Sequence, residues 1–137
     1  MSRGYEPGSL GRGRRGVGDR DLLERLRRGL VARDADAIGE LLHPEAAVVI
    51  DSGGHLPTVD IPVTGRSAVV AELVALMVPE TGAASASING VPGLTILRDR
   101  QIVGTLTAEV RSGRLAVVWV VCNPDKLRPW NQFSPAR

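Results

Sequence analysis

The chain has 137 residues, which is enough for one domain that buries an apolar core without disulfides or metals. Its 43% apolar content is typical of a globular protein, and its 3% aromatic content means that aliphatic side chains must fill the core. The single cysteine excludes an internal disulfide, and no apolar run is long enough for a signal peptide or a membrane span. We therefore predict a cytoplasmic protein with no membrane partner.

The net charge of +2 is unevenly distributed, because residues 1–18 hold four arginines and one glutamate. This stretch is rich in glycine and has no apolar periodicity, so we predict a disordered basic tail over residues 1–18. The letters GxGxxG occur at residues 11–16, but a dinucleotide site needs a strand before them and there is no room for one. The rest of the chain shows no convincing basic cluster, so we predict no specific nucleic-acid partner.

Helical patterns come first along the chain, and most of the strand patterns follow. Apolar residues recur at helical spacing after Asp19, after Asp34 or Asp36, and again from Gly65 to Val78. Short runs rich in β-branched or alternating residues predict strands at 46–51, 58–61, 83–88, 94–97, 101–110 and 115–121.

This order of elements predicts an α+β domain over residues 19–128, in which one curved antiparallel sheet wraps around a long helix as a cone. The cone contains a pocket because helices close one end and leave the other open. The apolar run from Leu115 to Val121 is long enough for a strand inside the sheet, and Pro124 ends it. Cys122 and Asn123 then lie where the chain leaves the core. We predict a Pro-rich tail over residues 129–137.

Asp51 is the first catalytic candidate, because it ends a strand that enters an apolar cone. Loss of hydration raises the pKa of such a carboxyl group and suits it to proton transfer near neutral pH. The alternative is that Asp51 only caps the turn of Ser52, Gly53 and Gly54. His55 follows across that turn, where it would either relay protons to Asp51 or face solvent. We predict Asp51 and His55 as the catalytic residues.

Four further residues are candidate ligand contacts: Asn89, Glu109, Trp119 and Asn123. Glu109 shares a strand face with Thr105 and Thr107, so the three line the cone together or face outward together. Trp119 has the alternative of packing in the core or an interface, and Asn123 that of only forming the Asn-Pro turn. Cys122 has no histidine near it in sequence, which argues against a nucleophile. The two histidines lie apart, and we predict no metal and no cofactor.

Three stretches resemble the motifs of the SnoaL-like domain, an NTF2-like fold found at the C-terminus of certain actinobacterial extracytoplasmic function sigma factors. They are Asp51-Ser52-Gly53-Gly54, Asn89-Gly90-Val91-Pro92-Gly93 and Asn123-Pro124-Asp125-Lys126-Leu127. The resemblance covers about residues 19–128 and implies an NTF2-like cone. Residues 45–54 and 63–73 are also similar to segments of ketosteroid isomerases, and this implies that Asp51 matches their general base.

The chain departs from both groups of relatives in specific places. His55 stands where the sigma-factor domains usually have lysine, and the isomerases' oxyanion-hole tyrosine has no counterpart, since the only tyrosine is Tyr5. No promoter-reading helical domain precedes the motifs, so we expect that the chain is not itself a sigma factor.

These observations together predict a stand-alone SnoaL-like enzyme that binds a mostly apolar small molecule in the cone. Its chemistry would be cofactor-independent acid/base catalysis, such as cyclisation, isomerisation or epoxide opening, in polyketide or other secondary-metabolite biosynthesis. The alternative is a non-catalytic regulatory or ligand-sensing module with a sigma factor as its partner. We expect a homodimer in either case, because the outer face of the last strand must be covered.

Overall fold

The computed structural model describes residues 12–52 and 62–131, with side chains from residue 19 onward. His55 and the strand predicted at 58–61 lie outside the described residues. In chain order the elements are α1 (Arg12–Ala32), α2 (Ala35–Leu41), β1 (Leu42–Asp51), β2 (Val63–Thr64), α3 (Arg66–Leu76), β3 (Thr81–Ile88), β4 (Val91–Arg98), β5 (Gln101–Arg111), β6 (Arg114–Val121) and α4 (Pro124–Asn131).

Helix α1 buries the leucine stripe that the sequence predicts. Leu26 and Leu30 are fully buried, and each contributes about 1.5–3 kcal/mol relative to an exposed side chain. Val31, whose spacing also fits this apolar stripe, is 48% exposed. The helix begins at Arg12 rather than near Asp19, so the backbone of residues 12–18 is helical where we expected a disordered tail. Once a packed leucine stripe has nucleated a helix, each further residue adds one backbone hydrogen bond, and arginine is a good helix former.

The six described strands form one curved, open sheet in the order β2-β1-β6-β5-β4-β3. This confirms the predicted α+β class and the interior position of β6, which pairs with β1 on one side and β5 on the other. The pairing is antiparallel throughout except between β1 and β6, which are parallel. The sheet is therefore mixed and not purely antiparallel. Strands β3 to β6 run as an antiparallel meander from the edge of the sheet back to β1, and β6 lies beside β1 in the same direction.

The sheet has an inner face packed on the helices and an outer face. In the row Val48–Val118–Ala108 the three residues pair across neighbouring strands and belong to the core. The next row, Val49–Trp119–Thr107, therefore points to the outer face, since successive side chains alternate. No helix in the described ranges combines the length and apolarity that crossing a membrane would require.

The strands of the β3–β4 and β4–β5 hairpins are joined by tight two-residue turns. Asn89 and Gly90 have φ values of 53° and 86°, as do Asp99 and Arg100 at 54° and 67°. This left-handed pair suits the twist of a hairpin. The break predicted over residues 89–93 is thus limited to two residues, and β4 already begins at Val91. Gly93 lies inside β4, where an added Cβ would come within 2.6 Å of the Leu106 carbonyl oxygen.

The chain does not trail away after β6 but enters the short helix α4. Asn123 caps it, because its side-chain oxygen accepts a hydrogen bond from the Asp125 N–H at 3.0 Å. Pro124 occupies the first helical position, where the missing N–H costs nothing. The helix continues through Pro129 to Asn131, beyond the boundary that we expected at residue 128.

Candidate functional site

A cavity of about 650 Å³ lies between the inner face of the sheet, the end of α3 and helix α4. Strands β4, β5 and β6 form its floor, and α4 covers one side. The residues that line it are Leu76, Ile96, Arg98, Gln101, Ile102, Val103, Gly104, Val120, Cys122, Pro124, Leu127, Arg128 and Asn131.

Most of the cavity wall is aliphatic. Ile96, Val120 and Leu127 are buried and come from β4, β6 and α4. Strand β5 carries an extra residue at Val103, because the pairing with β4 shifts between Gly104 and Ile102. Such a bulge bends a strand and redirects its side chains, and bulges are common next to binding sites. Gly104 adds space here, since it places no side chain beside Ile96.

Polar side chains gather at the end of the cavity formed by the β4–β5 hairpin and α4. Arg98 and Gln101 are cross-strand partners at the base of the hairpin, and Arg128 lies on α4. The Arg98 Nε donates to the Thr81 hydroxyl at 3.1 Å, and Nη2 makes a longer contact of 3.5 Å with the Leu76 carbonyl oxygen. Among the described residues that line the cavity, none is acidic.

The Cys122 thiol lies in the cavity wall just after β6. Burial raises the pKa of this thiol, the positive charge of Arg98 lowers it, and the negative charge of Asp51 raises it further. The net direction is upward, so the protonated thiol dominates at neutral pH. A protonated thiol is a poor nucleophile and contributes a weakly polar, compact surface to the wall.

Helix α4 is attached to the sheet at three points. Leu127 is buried beneath it. The Asn131 side chain accepts from the Ile102 N–H at 2.8 Å and donates to the Ile102 carbonyl oxygen at 3.1 Å. At the other side, Lys126 Nζ contacts Asp51 Oδ2 at 2.7 Å. These contacts fix one wall of the cavity.

Asp51 is the last residue of β1 and lies beside Val121 of β6. The preceding pair, Ile50 and Val120, faces inward. The Asp51 side chain therefore leaves the strand on the opposite face of the sheet, and it does not line the cavity. Its side chain is 23% exposed and forms the ion pair with Lys126. We expected a carboxylate desolvated by an apolar cone. The α4 helix instead supplies a cation, and the catalytic role of Asp51 stays a prediction.

The four predicted ligand contacts do not meet in one place. Trp119 lies on the outer face with 40% exposure, and Glu109 is exposed two residues along β5 from Thr107, on the same face. Asn89 is exposed in the β3–β4 turn, and Asn123 caps α4. None of the four lines the cavity, and His55 lies outside the described residues.

Sequence reasoning missed the polar residues that do line the cavity, above all Arg98 and Asn131. Arg98 sits at a hairpin end, where arginines are usually solvated, and nothing in the periodicity distinguishes it. Asn131 fell in the segment expected to be a tail. The signal for α4 was present, since Asn followed by Pro and Asp is typical of a helix N-terminus. In residues 12–52 and 62–131, no three His, Cys, Asp or Glu side chains come together as a metal would need.

The fold is that of the NTF2-like proteins, as two solved structures show. An NTF2-like protein of unknown function from Mesorhizobium loti aligns with a TM-score of 0.58 at 20% identity, over 78% of this chain and 92% of that chain. An LEH-like epoxide hydrolase from Mycobacterium tuberculosis aligns with a TM-score of 0.53 at 12% identity, over 88% and 93%. The predicted NTF2-like fold is thereby confirmed.

In sequence the chain is similar to the extracytoplasmic function RNA polymerase sigma factor SigJ of Mycobacterium tuberculosis. The two are 31% identical over 122 residues, which cover 77% of this chain and 38% of SigJ. The SigJ crystal structure aligns with a TM-score of 0.61 at 27% identity, over 85% of this chain and 47% of that chain. The resemblance to a sigma-factor domain is confirmed, and the chain spans less than half the length of SigJ. No protein-family model matches the chain.

Proposed function

We propose that this domain binds a mostly apolar small molecule in the cavity between the sheet and α4. The observation that carries the proposal is the aliphatic wall of Ile96, Val120 and Leu127 around a space of about 650 Å³. Ligand pockets are commonly concave, apolar and of about 300–1,000 Å³, with a few polar groups that orient the ligand. The polar end at Arg98 and Gln101 supplies such groups.

The test is the binding of N-phenyl-1-naphthylamine, a neutral apolar dye whose fluorescence rises when it leaves water. The wild-type protein should bind it at one saturable site. Val103→Trp fills the cavity from the β5 bulge and should weaken binding at least about tenfold, a loss of about 1.4 kcal/mol. Val31→Trp makes the same change at an exposed site on α1 and should leave the affinity unchanged. Equal affinities in the two variants would refute binding in this cavity.

Catalysis is one use that we propose for such a site, with Asp51 as the proton carrier and His55 as its relay. The reactions are those expected from the sequence: cyclisation, isomerisation or epoxide opening, in secondary-metabolite biosynthesis. Support comes from the position of Asp51 beside β6, close enough that its charge acts on the Cys122 thiol in the cavity wall. Asp51→Asn keeps the shape and removes the proton acceptor, so undiminished turnover of an identified substrate would reject this role.

Regulation through ligand sensing is the second use, and the similarity to SigJ favours it. The ion pair between Asp51 and Lys126 joins two of the motifs that carry the resemblance, so these motifs hold α4 on the sheet. A ligand beneath α4 would then change the surface that a partner meets. Under this proposal the purified protein co-elutes with a candidate sigma factor when the two are mixed, and the ligand alters that co-elution. An enzyme would show no such partner.

A further inference from the structure

The charged groups at the polar end of the cavity are both arginines, but they differ in how their charge is balanced. Arg128 is exposed and pairs with Asp125 on its own helix at 2.7 Å. Arg98 is half-buried and forms no ion pair with any residue of 12–52 or 62–131. The uncompensated charge in the wall is therefore that of Arg98.

The neighbours of Arg98 satisfy only part of its guanidinium. The group carries five N–H donors, and a carboxylate or another oxyanion can accept two of them side by side. Nε donates to the Thr81 hydroxyl and Nη2 contacts the Leu76 carbonyl oxygen, both of them neutral acceptors. Nη1 has no acceptor within the part of the chain that the structure describes. The hydrogen bond to Thr81 orients the guanidinium, and the N–H groups of Nη1 are left for a ligand in the cavity that Arg98 lines.

The surroundings of Arg98 favour an anion rather than a neutral polar group. No acidic residue is found among the described lining of the cavity, so nothing there competes for the guanidinium. Gln101, its cross-strand partner, brings an amide that can donate to the same oxyanion. The positive charge of Arg98 also lowers the pKa of the Cys122 thiol, which is another group in the cavity lining.

We propose that the ligand of this cavity is an apolar molecule with one anionic oxygen group, and that Arg98 binds that group. The inference rests on the proposed binding function and narrows it to apolar acids. The aliphatic body would lie against Ile96, Val120 and Leu127, and the oxyanion would lie at the hairpin end. Arg98 thus determines which ligands bind, whether the bound molecule is a substrate or a signal.

Two dyes that differ in a single group provide the test. N-phenyl-1-naphthylamine is neutral, and 1-anilinonaphthalene-8-sulfonate is the same ring system with a sulfonate. We expect the wild-type protein to bind the sulfonate dye more tightly. Arg98→Gln should weaken the sulfonate dye at least about tenfold and change the neutral dye less than about twofold. Arg98→Lys keeps the positive charge but loses the two parallel N–H donors of the guanidinium. Its affinity for the sulfonate dye should therefore lie between those of the wild type and Arg98→Gln.

Arg100→Gln is the matched control, because it removes an exposed charge from the same hairpin outside the cavity lining. It should leave both affinities within about twofold of wild type, which separates a direct contact from an effect of net charge. Decanoate should displace the sulfonate dye from wild type at lower concentration than decanol does. Retained binding of the neutral dye shows that each variant is folded.

The outcomes separate the two proposals. If Arg98→Gln weakens the binding of both dyes equally, or of neither, while Val103→Trp still weakens the binding of both, the cavity binds ligands but Arg98 does not select acids, and the inference is wrong. If Val103→Trp leaves the binding of both dyes unchanged, the dyes bind elsewhere, and the proposed function fails together with the inference. Selective loss of the sulfonate dye in Arg98→Gln alone supports both.

Discussion

Two opposite charges act on the thiol of Cys122 at the point where β6 leaves the sheet. One is Arg98 in the cavity wall, and the other is Asp51 at the end of β1. Their effects on the pKa of the thiol oppose each other, so the reactivity of the thiol reports on both charges.

The first prediction concerns alkylation of Cys122 by iodoacetamide, in which only the thiolate reacts. Because burial raises the pKa of the thiol, the rate at neutral pH should lie below that of a free cysteine and rise as the pH approaches that pKa. Asp51→Asn removes a charge that raises the pKa, so alkylation should become about two- to threefold faster. Arg98→Gln should slow it by a similar factor.

Asp125→Asn is the control for this series, because Asp125 is an exposed carboxylate on α4 that does not act on the thiol. Its alkylation rate should equal that of wild type. Equal rates in wild type, Asp51→Asn and Arg98→Gln would mean that neither charge reaches Cys122.

The sequence predicted where single residues lie on the strands better than it predicted which side chains they contact. The period of two correctly grouped Glu109 with the threonines of β5, and the motif letters correctly marked the end of β1 at Asp51. Asp51 forms an ion pair with Lys126, which is 75 positions away in sequence. Nothing local specifies such a contact. The environment of a carboxylate is set by whatever the fold brings beside it, and here that was a cation.

Helix α4 forms one wall of the cavity and is held by few contacts. Its one large buried side chain is Leu127, and the remaining attachment is polar. Sequence reasoning correctly ended β6 before Pro124 but missed the helix that begins there. An eight-residue segment with two prolines has little intrinsic helix propensity, and its stability comes from docking on the sheet.

The second prediction follows from the paired hydrogen bonds between Asn131 and Ile102. Asn131→Ala leaves the N–H and the carbonyl of a half-buried backbone group unpaired, which should cost about 1–3 kcal/mol in the free energy of unfolding. Asn131→Asp keeps the acceptor for the Ile102 N–H and loses the donor, so its loss should be smaller. Urea denaturation measures the free energy of unfolding of both variants. Because α4 forms one wall of the cavity, weaker docking of α4 should also lower the affinity for N-phenyl-1-naphthylamine.

Arg128→Ala is the companion variant, since Arg128 is exposed and its pair with Asp125 is a surface ion pair of little energetic weight. It should unfold at nearly the wild-type urea concentration. If Asn131→Ala were as stable as Arg128→Ala, the amide would not hold the helix, and burial of Leu127 would have to do so alone.

Helices cover one face of the sheet, and the other face carries an exposed tryptophan. The inner face is covered by α1, α3 and α4. The order of helical and strand patterns predicted α1 and α3, and it did not predict α4. The parallel pairing of β1 with β6 was missed, because it depends on how the last strand returns across the sheet and not on any local pattern. The outer face carries Trp119, which is 40% exposed beside half-buried Val49 and Thr107.

The homodimer expected from the sequence stays a prediction, and this outer face is where we expect the second copy to pack. Covering a large exposed aromatic ring stabilises an interface, because water is then released from apolar surface. The protein should therefore elute at about twice the 14.5 kDa mass of one chain. Trp119→Lys places a charge in that face and should give a monomer that still binds N-phenyl-1-naphthylamine, since the cavity lies on the opposite face.

Trp130→Lys changes a similarly exposed tryptophan on α4 and should remain dimeric. A light-scattering mass of one chain for the wild-type protein, or of two for Trp119→Lys, would contradict this interface.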